Sequence, residues 1–181
     1  MILTKNLNNV FLETCKKNNL KKLVNIIEQA SQSNVVLDYA EGFTKACRHG
    51  KLQVVQYLVK STDLSTSAKE TSLIYSVEYG QSCLFNYLVN SDKFLKDFKM
   101  PLDELFKASC LYDQKEVLIY LLIERKAKPS SEIVTYINTL PESFNGIKQQ
   151  YHKIIKILEL NKNLDENLNK NNCTNTNLPK I

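Results

Sequence analysis

The residues of this sequence that could perform chemistry are few and widely spaced. The candidate metal ligands and nucleophiles are five cysteines and two histidines: Cys15, Cys47, Cys83, Cys110, Cys173, His49 and His152. A zinc site needs about four clustered ligands, usually in closely spaced pairs, and no Cys-x-x-Cys pair is present. His49 follows Cys47 by two positions, and residues two apart on a helix do not face each other. The sequence therefore predicts no metal site, no cofactor and no Cys–His nucleophile.

Paired carboxylates offer the other route to catalysis, and the sequence has two such pairs, Asp103/Glu104 and Asp165/Glu166. Asp103 and Glu104 directly precede an apolar segment, at a position where carboxylates stabilise the start of a helix. Nothing in the sequence separates the pKa values of the pair, as acid–base catalysis would require. A glycine-rich phosphate loop, Gly-x-Ser-x-Gly and His-Glu-x-x-His are all missing. We therefore expect a protein that is not an enzyme.

Composition predicts that helices position these residues. The chain has 181 residues with only four glycines and four prolines, too few for a fold rich in tight turns. No apolar run reaches the roughly 18–20 residues that span a bilayer, and the first residues lack the features of a secretory leader. The odd number of cysteines favours free thiols in a reducing compartment. We expect a cytoplasmic protein, or one of the host-cell cytosol if the source is a virus or an intracellular bacterium.

An internal repeat organises the sequence. Four segments align without gaps from the anchors Phe11, Phe43, Leu73 and Phe106, whose nearly regular spacing is typical of helical-repeat proteins. Each segment reads as two short amphipathic helices joined by a turn. Cys15, Cys47 and Cys110 share one register of this alignment, which predicts that they are buried small residues rather than reactive thiols.

The second and third segments resemble the ankyrin repeat family. The stretch Ala46–Val59 is similar to the middle of an ankyrin repeat, where a small-residue pair and two variable positions lead to Gly50 and an apolar helix. Thr71–Ser76 resembles the family's Thr-Pro-Leu-His-x-Ala opening. The resemblance implies an all-α, ankyrin-like solenoid of stacked helix–loop–helix repeats with a C-terminal helical cap.

The chain departs from the ankyrin pattern at its turns and loops. The turn glycine is replaced by Asn18 in the first repeat and by Asp113 in the fourth, and residues 61–70 contain no Gly and therefore lack the Asp and Gly pattern that shapes the family's hairpin. These loops are therefore predicted to be irregular. Another solenoid of helical pairs and a plain α-helical bundle remain as alternative folds.

The predicted domain covers residues 1–160. Its repeats are about 7–38, 39–69, 70–101 and 102–130, and residues 131–160 form a helical cap or a degenerate fifth repeat, with a helix capped by Ser130 or Ser131. More than a third of the segment 161–181 is Asn, which predicts a disordered tail.

The resemblance implies binding through the two variable positions before each turn residue. These positions are Lys16, Lys17, Arg48, His49, Glu78, Tyr79, Leu111 and Tyr112. They run from basic to aromatic and apolar, and aromatic and arginine side chains commonly dominate binding energy. A shift of one residue in the weak fourth repeat would instead bury Leu111 and Tyr112. Tyr57, Tyr87 and Tyr120 form a second row, which we interpret as packing between repeats rather than as a binding stripe.

The predicted function is non-catalytic binding that masks or tethers another protein on the concave face. The whole net charge of +5 arises in residues 1–60, where nine Lys and Arg face four Asp and Glu, so a partner with an acidic patch is favoured. The alternative is binding of nucleic acid or another polyanion by the basic N-terminal repeats, which the pI of about 8.8 and the lack of a base-stacking module disfavour. We expect no membrane association and a monomer or weak oligomer.

Overall fold

The computed structural model describes the backbone of residues 2–174 and the side chains of residues 7–160. Over this range every regular element is a helix, which confirms the predicted all-α class. The α-helices are α1 (Ile2–Cys15), α2 (Leu20–Gln32), α3 (Tyr39–Arg48), α4 (Leu52–Ser61), α5 (Thr66–Glu78), α6 (Ser82–Val89), α7 (Asp92–Leu95), α8 (Leu102–Leu111), α9 (Lys115–Ile119), α10 (Ser131–Thr139) and α11 (Asn145–Thr174). A π-helical turn, Tyr120–Glu124, extends α9, and a 3₁₀ turn, Glu142–Phe144, precedes α11.

Side-chain caps explain where several helices begin. Asn19, Asp38, Ser65 and Ser130 each accept a hydrogen bond from the backbone N–H three residues later, at 2.9–3.3 Å. Each bond satisfies one of the donors that a helix leaves unpaired at its first turn. The cap at Ser130 confirms the predicted start of α10.

The four turn residues identified from the alignment share one backbone conformation. Asn18, Gly50, Gly80 and Asp113 have φ between 51° and 65°. In three of the turns the next N–H, from Lys51, Gln81 or Gln114, donates to the carbonyl five residues earlier at 2.7–2.9 Å. This is the hydrogen bond that closes a helix through a left-handed residue. The sequence segments therefore fold into locally equivalent turns.

The four anchors occupy equivalent environments. Phe11, Phe43, Leu73 and Phe106 are all fully buried. The residues four positions later are also fully buried: Cys15, Cys47, Val77 and Cys110. The same holds for the stripe of the second helices, twelve positions after each anchor: Leu23, Val55, Phe85 and Leu118. One continuous apolar cluster contains all of these side chains.

The first helices of the pairs lie in one row. α1 packs on α3, α3 on α5, α5 on α8 and α8 on α10. On the second-helix side, α2 contacts α4, and α11 contacts α9 and the π-helical turn. The pair α10–α11 thus continues the row beyond the four aligned segments, through buried Ile147, Tyr151 and Ile154.

The tyrosine row contributes to packing, as the sequence favoured. Tyr120 is buried, with its ring edge-on to Phe85 at a centroid distance of 5.4 Å. Tyr57 and Tyr87 are half-buried against the same apolar cluster.

Several element boundaries differ from the sequence prediction. The third pair begins at Thr66 rather than at residue 70, because Ser65 caps α5, so Thr71–Ser76 lies inside a helix rather than at its opening. The following loop carries the short helix α7, which the sequence did not predict.

The described part of the C-terminal segment is helical. α11 continues to Thr174 and so overlaps the predicted tail over residues 161–174, and residues 175–181 lie outside the described part. Extension of an existing helix needs no new nucleus, which lowers the cost of helix formation in this Asn-rich segment. None of the helices between residues 2 and 174 is long and apolar enough to cross a bilayer.

Candidate binding surface

The eight predicted binding residues lie where the first helices of the pairs end. Arg48, Glu78 and Leu111 are the last residues of α3, α5 and α8, and the residue that follows each of them caps its helix. Lys16 and Lys17 follow the end of α1 in the same register. We call this set the turn-side stripe: Lys16, Lys17, Arg48, His49, Glu78, Tyr79, Leu111 and Tyr112.

Most side chains of the turn-side stripe are exposed. Lys16 and Glu78 are half-buried, and the other six are exposed. Leu111 and Tyr112 keep 46% and 42% of their surface accessible, so the alternative in which a shifted fourth repeat buries them is wrong. These two side chains lie on the surface because they end α8 directly before the left-handed turn at Asp113.

Neighbouring pairs contact each other within the turn-side stripe. The Arg48 guanidinium carbon lies 4.8 Å from the ring centroid of Tyr79, a cation–π distance. Tyr79 also meets Tyr75 edge-on, with ring centroids 5.9 Å apart. Tyr75 was missed from the sequence, although its spacing of four residues from Tyr79 on α5 was the available signal. Arg48, Tyr79 and Tyr75 therefore form a contiguous patch across two pairs.

Two glutamines bond the backbone next to the tyrosines of the turn-side stripe. Gln81 Nε2 donates to the Tyr79 carbonyl at 3.1 Å, and Gln114 Nε2 donates to the Tyr112 carbonyl at 2.9 Å. A Cβ on Gly50 would collide with Gln81 Oε1, so this side chain reaches back over the turn of the preceding pair. The equivalent positions of Gln81 and Gln114 in the alignment were a signal that sequence reasoning did not use.

The N-terminal part of the turn-side stripe is electropositive. Lys16 forms an ion pair with Glu13, and Lys45 forms one with Glu41. The pKa of His49 is lowered, mainly by partial burial and then by the positive charges of Arg48, Lys16 and Lys51. His49 therefore lies near three cations, Arg48, Lys16 and Lys51, and near the Glu13 carboxylate, which acts on its pKa in the opposite direction.

Three of the four cysteines between residues 7 and 160 are withdrawn from this surface by burial. Cys15, Cys47 and Cys110 are buried, whereas Cys83 is exposed. Burial raises the pKa of the Cys15 thiol from 9.0 to about 12 and that of Cys110 to about 11, and it also raises that of Cys47. The shared register thus has the structural role that the sequence predicted. Asp103 and Glu104 lie in the first turn of α8, as expected for helix-stabilising carboxylates.

A cavity of about 410 Å³ lies away from the turn-side stripe, between the α4–α5 loop and α7. Its lining includes Lys69, Lys93 and Lys96. The ammonium groups of Lys69 and Lys93 donate to the backbone carbonyls of Lys96 and Lys60, at 2.9 and 2.6 Å. These lysines attach α7 to the neighbouring pairs, and Asp63 and Asp97 offset their charge. The cavity therefore carries no ligand assignment.

Comparisons of the chain with protein-family models, with curated proteins and with solved structures found no match. Within residues 7–160, no three His, Cys, Asp or Glu side chains form a group that could hold a metal ion.

Proposed function

We propose that this chain is an ankyrin-like stack of helical pairs that binds another protein without catalysis. The fold part of this proposal is supported by the spacing of the anchors, which is close to the ankyrin period of about 33 residues. The equivalent burial of Phe11, Phe43, Leu73 and Phe106 supports it further. A single helical pair cannot bury its apolar face alone, so neighbours must cover it. In this proposal the pair α10–α11 closes the C-terminal end as a cap.

The exposed register of the turn-side stripe is the observation that carries the binding proposal. In four successive pairs the second of the two positions, directly before a left-handed turn, is exposed, and the first is exposed in two pairs and half-buried in the other two. A row of side chains on rigid helix ends forms an extended surface whose geometry is fixed before a partner arrives, and this lowers the entropic cost of binding. The mechanism we propose is steric: the bound partner is masked or tethered.

Binding explains the chemistry of the described residues better than catalysis does. The three cysteines in the repeated register are buried with raised pKa values, so their nucleophilic thiolate forms are suppressed. The aromatic and arginine side chains are exposed on the turn-side stripe, where binding anchors are expected.

The direct test replaces residues from both ends of the turn-side stripe. We expect the double variant Arg48→Glu/Tyr112→Ala to lose the partners that the wild-type chain captures from cells of its source. Arg48→Glu removes a favourable charge at the C-terminus of α3 and a cation–π contact, which together cost about 1–2 kcal/mol of folding free energy. The melting temperature of the variant is therefore measured by circular dichroism, and partner capture is carried out below that temperature.

The matched control is Lys60→Glu/Ile157→Ala, which also combines a charge reversal with the loss of an exposed apolar side chain. Lys60 lies near the far end of α4, about 12–15 Å along the helix from the Gly50 turn. The control should capture the same partners as the wild type. Equal capture by the wild-type chain and by the folded stripe variant would refute the assignment of the turn-side stripe.

Binding of nucleic acid or another polyanion is the alternative, and the cations around His49 favour it. A polyanion bound through phosphate contacts should be released steeply by salt and should not respond to Tyr112→Ala. A protein partner anchored on the tyrosines should respond to that substitution.

A further inference from the structure

The turn-side stripe has two chemically different ends. At the N-terminal end, cationic side chains from two successive pairs lie near His49. At the other end, Tyr79, Leu111 and Tyr112 account for three of the seven exposed large apolar side chains among residues 7–160. Scattered exposed apolar residues are normal, but a concentration at one register marks an interaction site.

Arg48 joins the two ends. It is exposed, its guanidinium carbon lies over the Tyr79 ring at 4.8 Å from the centroid, and no ion pair engages it in the described part of the chain. A guanidinium carries five N–H donors, and a cation–π contact leaves them free to bind a carboxylate. Arg48 is therefore placed beside an aromatic ring with its charge available to an acidic group.

The spacing between the ends limits the size of the partner segment. Packed helices lie about 8–10 Å apart, so two steps along the row, from α3 through α5 to α8, cover roughly 16–20 Å. An extended peptide rises about 3.3 Å per residue and spans this distance with about five or six residues. A short linear segment is therefore long enough to contact both ends.

We propose that the turn-side stripe binds an extended segment of a partner protein that carries a carboxylate on Arg48 and an aliphatic or aromatic side chain on Leu111 and Tyr112, about five or six residues away. This proposal rests on the proposed function and specifies the partner's chemistry. A nucleic acid would satisfy the basic end only, and it would leave the apolar end in water.

The test selects peptides from a random library of about 12 residues, long enough to cross the turn-side stripe when extended. The full chain is immobilised, and the selected peptides are synthesised and measured by fluorescence anisotropy. We expect Asp or Glu separated by about five or six residues from Leu, Ile, Phe or Trp. Arg48→Glu and, separately, Leu111→Ser should each weaken binding at least about ten-fold, and Lys60→Glu should leave it unchanged.

A charge exchange sharpens this experiment. Replacing the peptide's acidic residue by Lys should weaken binding to the wild-type chain and restore binding to Arg48→Glu. Restoration would assign the carboxylate to Arg48 itself, because a loss of folding in the variant could not be reversed by the peptide.

The possible failures are distinguishable. Selected peptides that depend on Leu111 but lack acidic residues would overturn this inference and leave the proposed function standing. Failure to enrich any peptide would overturn the linear-segment proposal alone, since capture of a folded partner is measured separately. Peptides whose binding is unchanged by both Arg48→Glu and Leu111→Ser would contradict the proposed function as well.

A labelled DNA strand of about 20 nucleotides is the last probe. Tighter binding of DNA than of any peptide, sensitive to Arg48→Glu but not to Leu111→Ser, would replace the inference with the polyanion alternative.

Discussion

Burial decides the chemistry of the cysteines at the residue scale. Cys15, Cys47 and Cys110 lie four positions after three of the anchors and are fully excluded from solvent. The cost of placing a negative charge in this apolar interior raises their pKa values. A raised thiol pKa keeps the neutral form over a wider pH range, so reactivity falls at any given pH below it.

Thiol labelling tests this account. For Cys15, a pKa raised from 9.0 to about 12 lowers the thiolate fraction about a thousand-fold near neutral pH. In a Cys173→Ser background, we expect one fast equivalent with a thiol reagent, which Cys83→Ser removes. The other three thiols should react only on unfolding in urea. Two or more fast equivalents in the native protein would contradict the burial of this register.

The turn-side stripe illustrates how far residue-level sequence reasoning reaches. The alignment predicted the positions of Arg48 and Tyr79, because helix ends follow from the turn residues. It did not predict their contact, which joins residues of two successive pairs and depends on how α3 and α5 pack. The contacts of Tyr75 with Tyr79 and of Gln81 with the Tyr79 carbonyl are local in the sequence, and their spacing could have predicted them.

The turns show why the repeat tolerates different residues at the scale of the elements. Asn18, Gly50, Gly80 and Asp113 all have positive φ, which glycine adopts without steric cost and Asn or Asp adopts with a modest one. The sequence therefore identified the turns in spite of the two replacements. It did not predict the start of α5, because the strong cap at Ser65 overrides the helix opening suggested at Thr71.

Opposite substitutions at two equivalent turns test this interpretation. Asp113→Gly should raise the free energy of unfolding by about 0.5–1 kcal/mol. Glycine has no Cβ and therefore adopts the left-handed conformation without steric strain. Gly80→Ala should lower the free energy of unfolding by about 1 kcal/mol. The new Cβ would make only an ordinary contact with Gln114, at 3.5 Å, so the loss comes from holding alanine in the left-handed conformation.

Urea denaturation monitored by circular dichroism measures both changes, and Asp113→Ala is the control for loss of the carboxylate. We expect Asp113→Ala to be less stable than Asp113→Gly. Equal stability of the glycine and alanine variants would mean that the conformation of this turn does not limit folding.

The row of first helices unites the molecule at the largest scale. The first helices of successive pairs are in contact, and the anchors belong to one apolar cluster although they are far apart in the sequence. The apolar spacing predicted the burial of the anchors, and the stacked arrangement of the pairs stays a proposal. The extent of α11 was not predicted, because composition describes the Asn-rich segment alone and not the folded helix that it continues.

We propose that the turn-side stripe is one continuous binding face. Hydrogen–deuterium exchange tests this proposal most directly, with the chain measured alone and with a captured partner or a selected peptide. A captured partner should slow exchange in the segments that end α1, α3, α5 and α8 together, a selected peptide in those that end α3, α5 and α8, and both should leave the exposed side of α4 and α11 unchanged. Protection confined to α4, α6 or α11, or to a single turn, would contradict the claim.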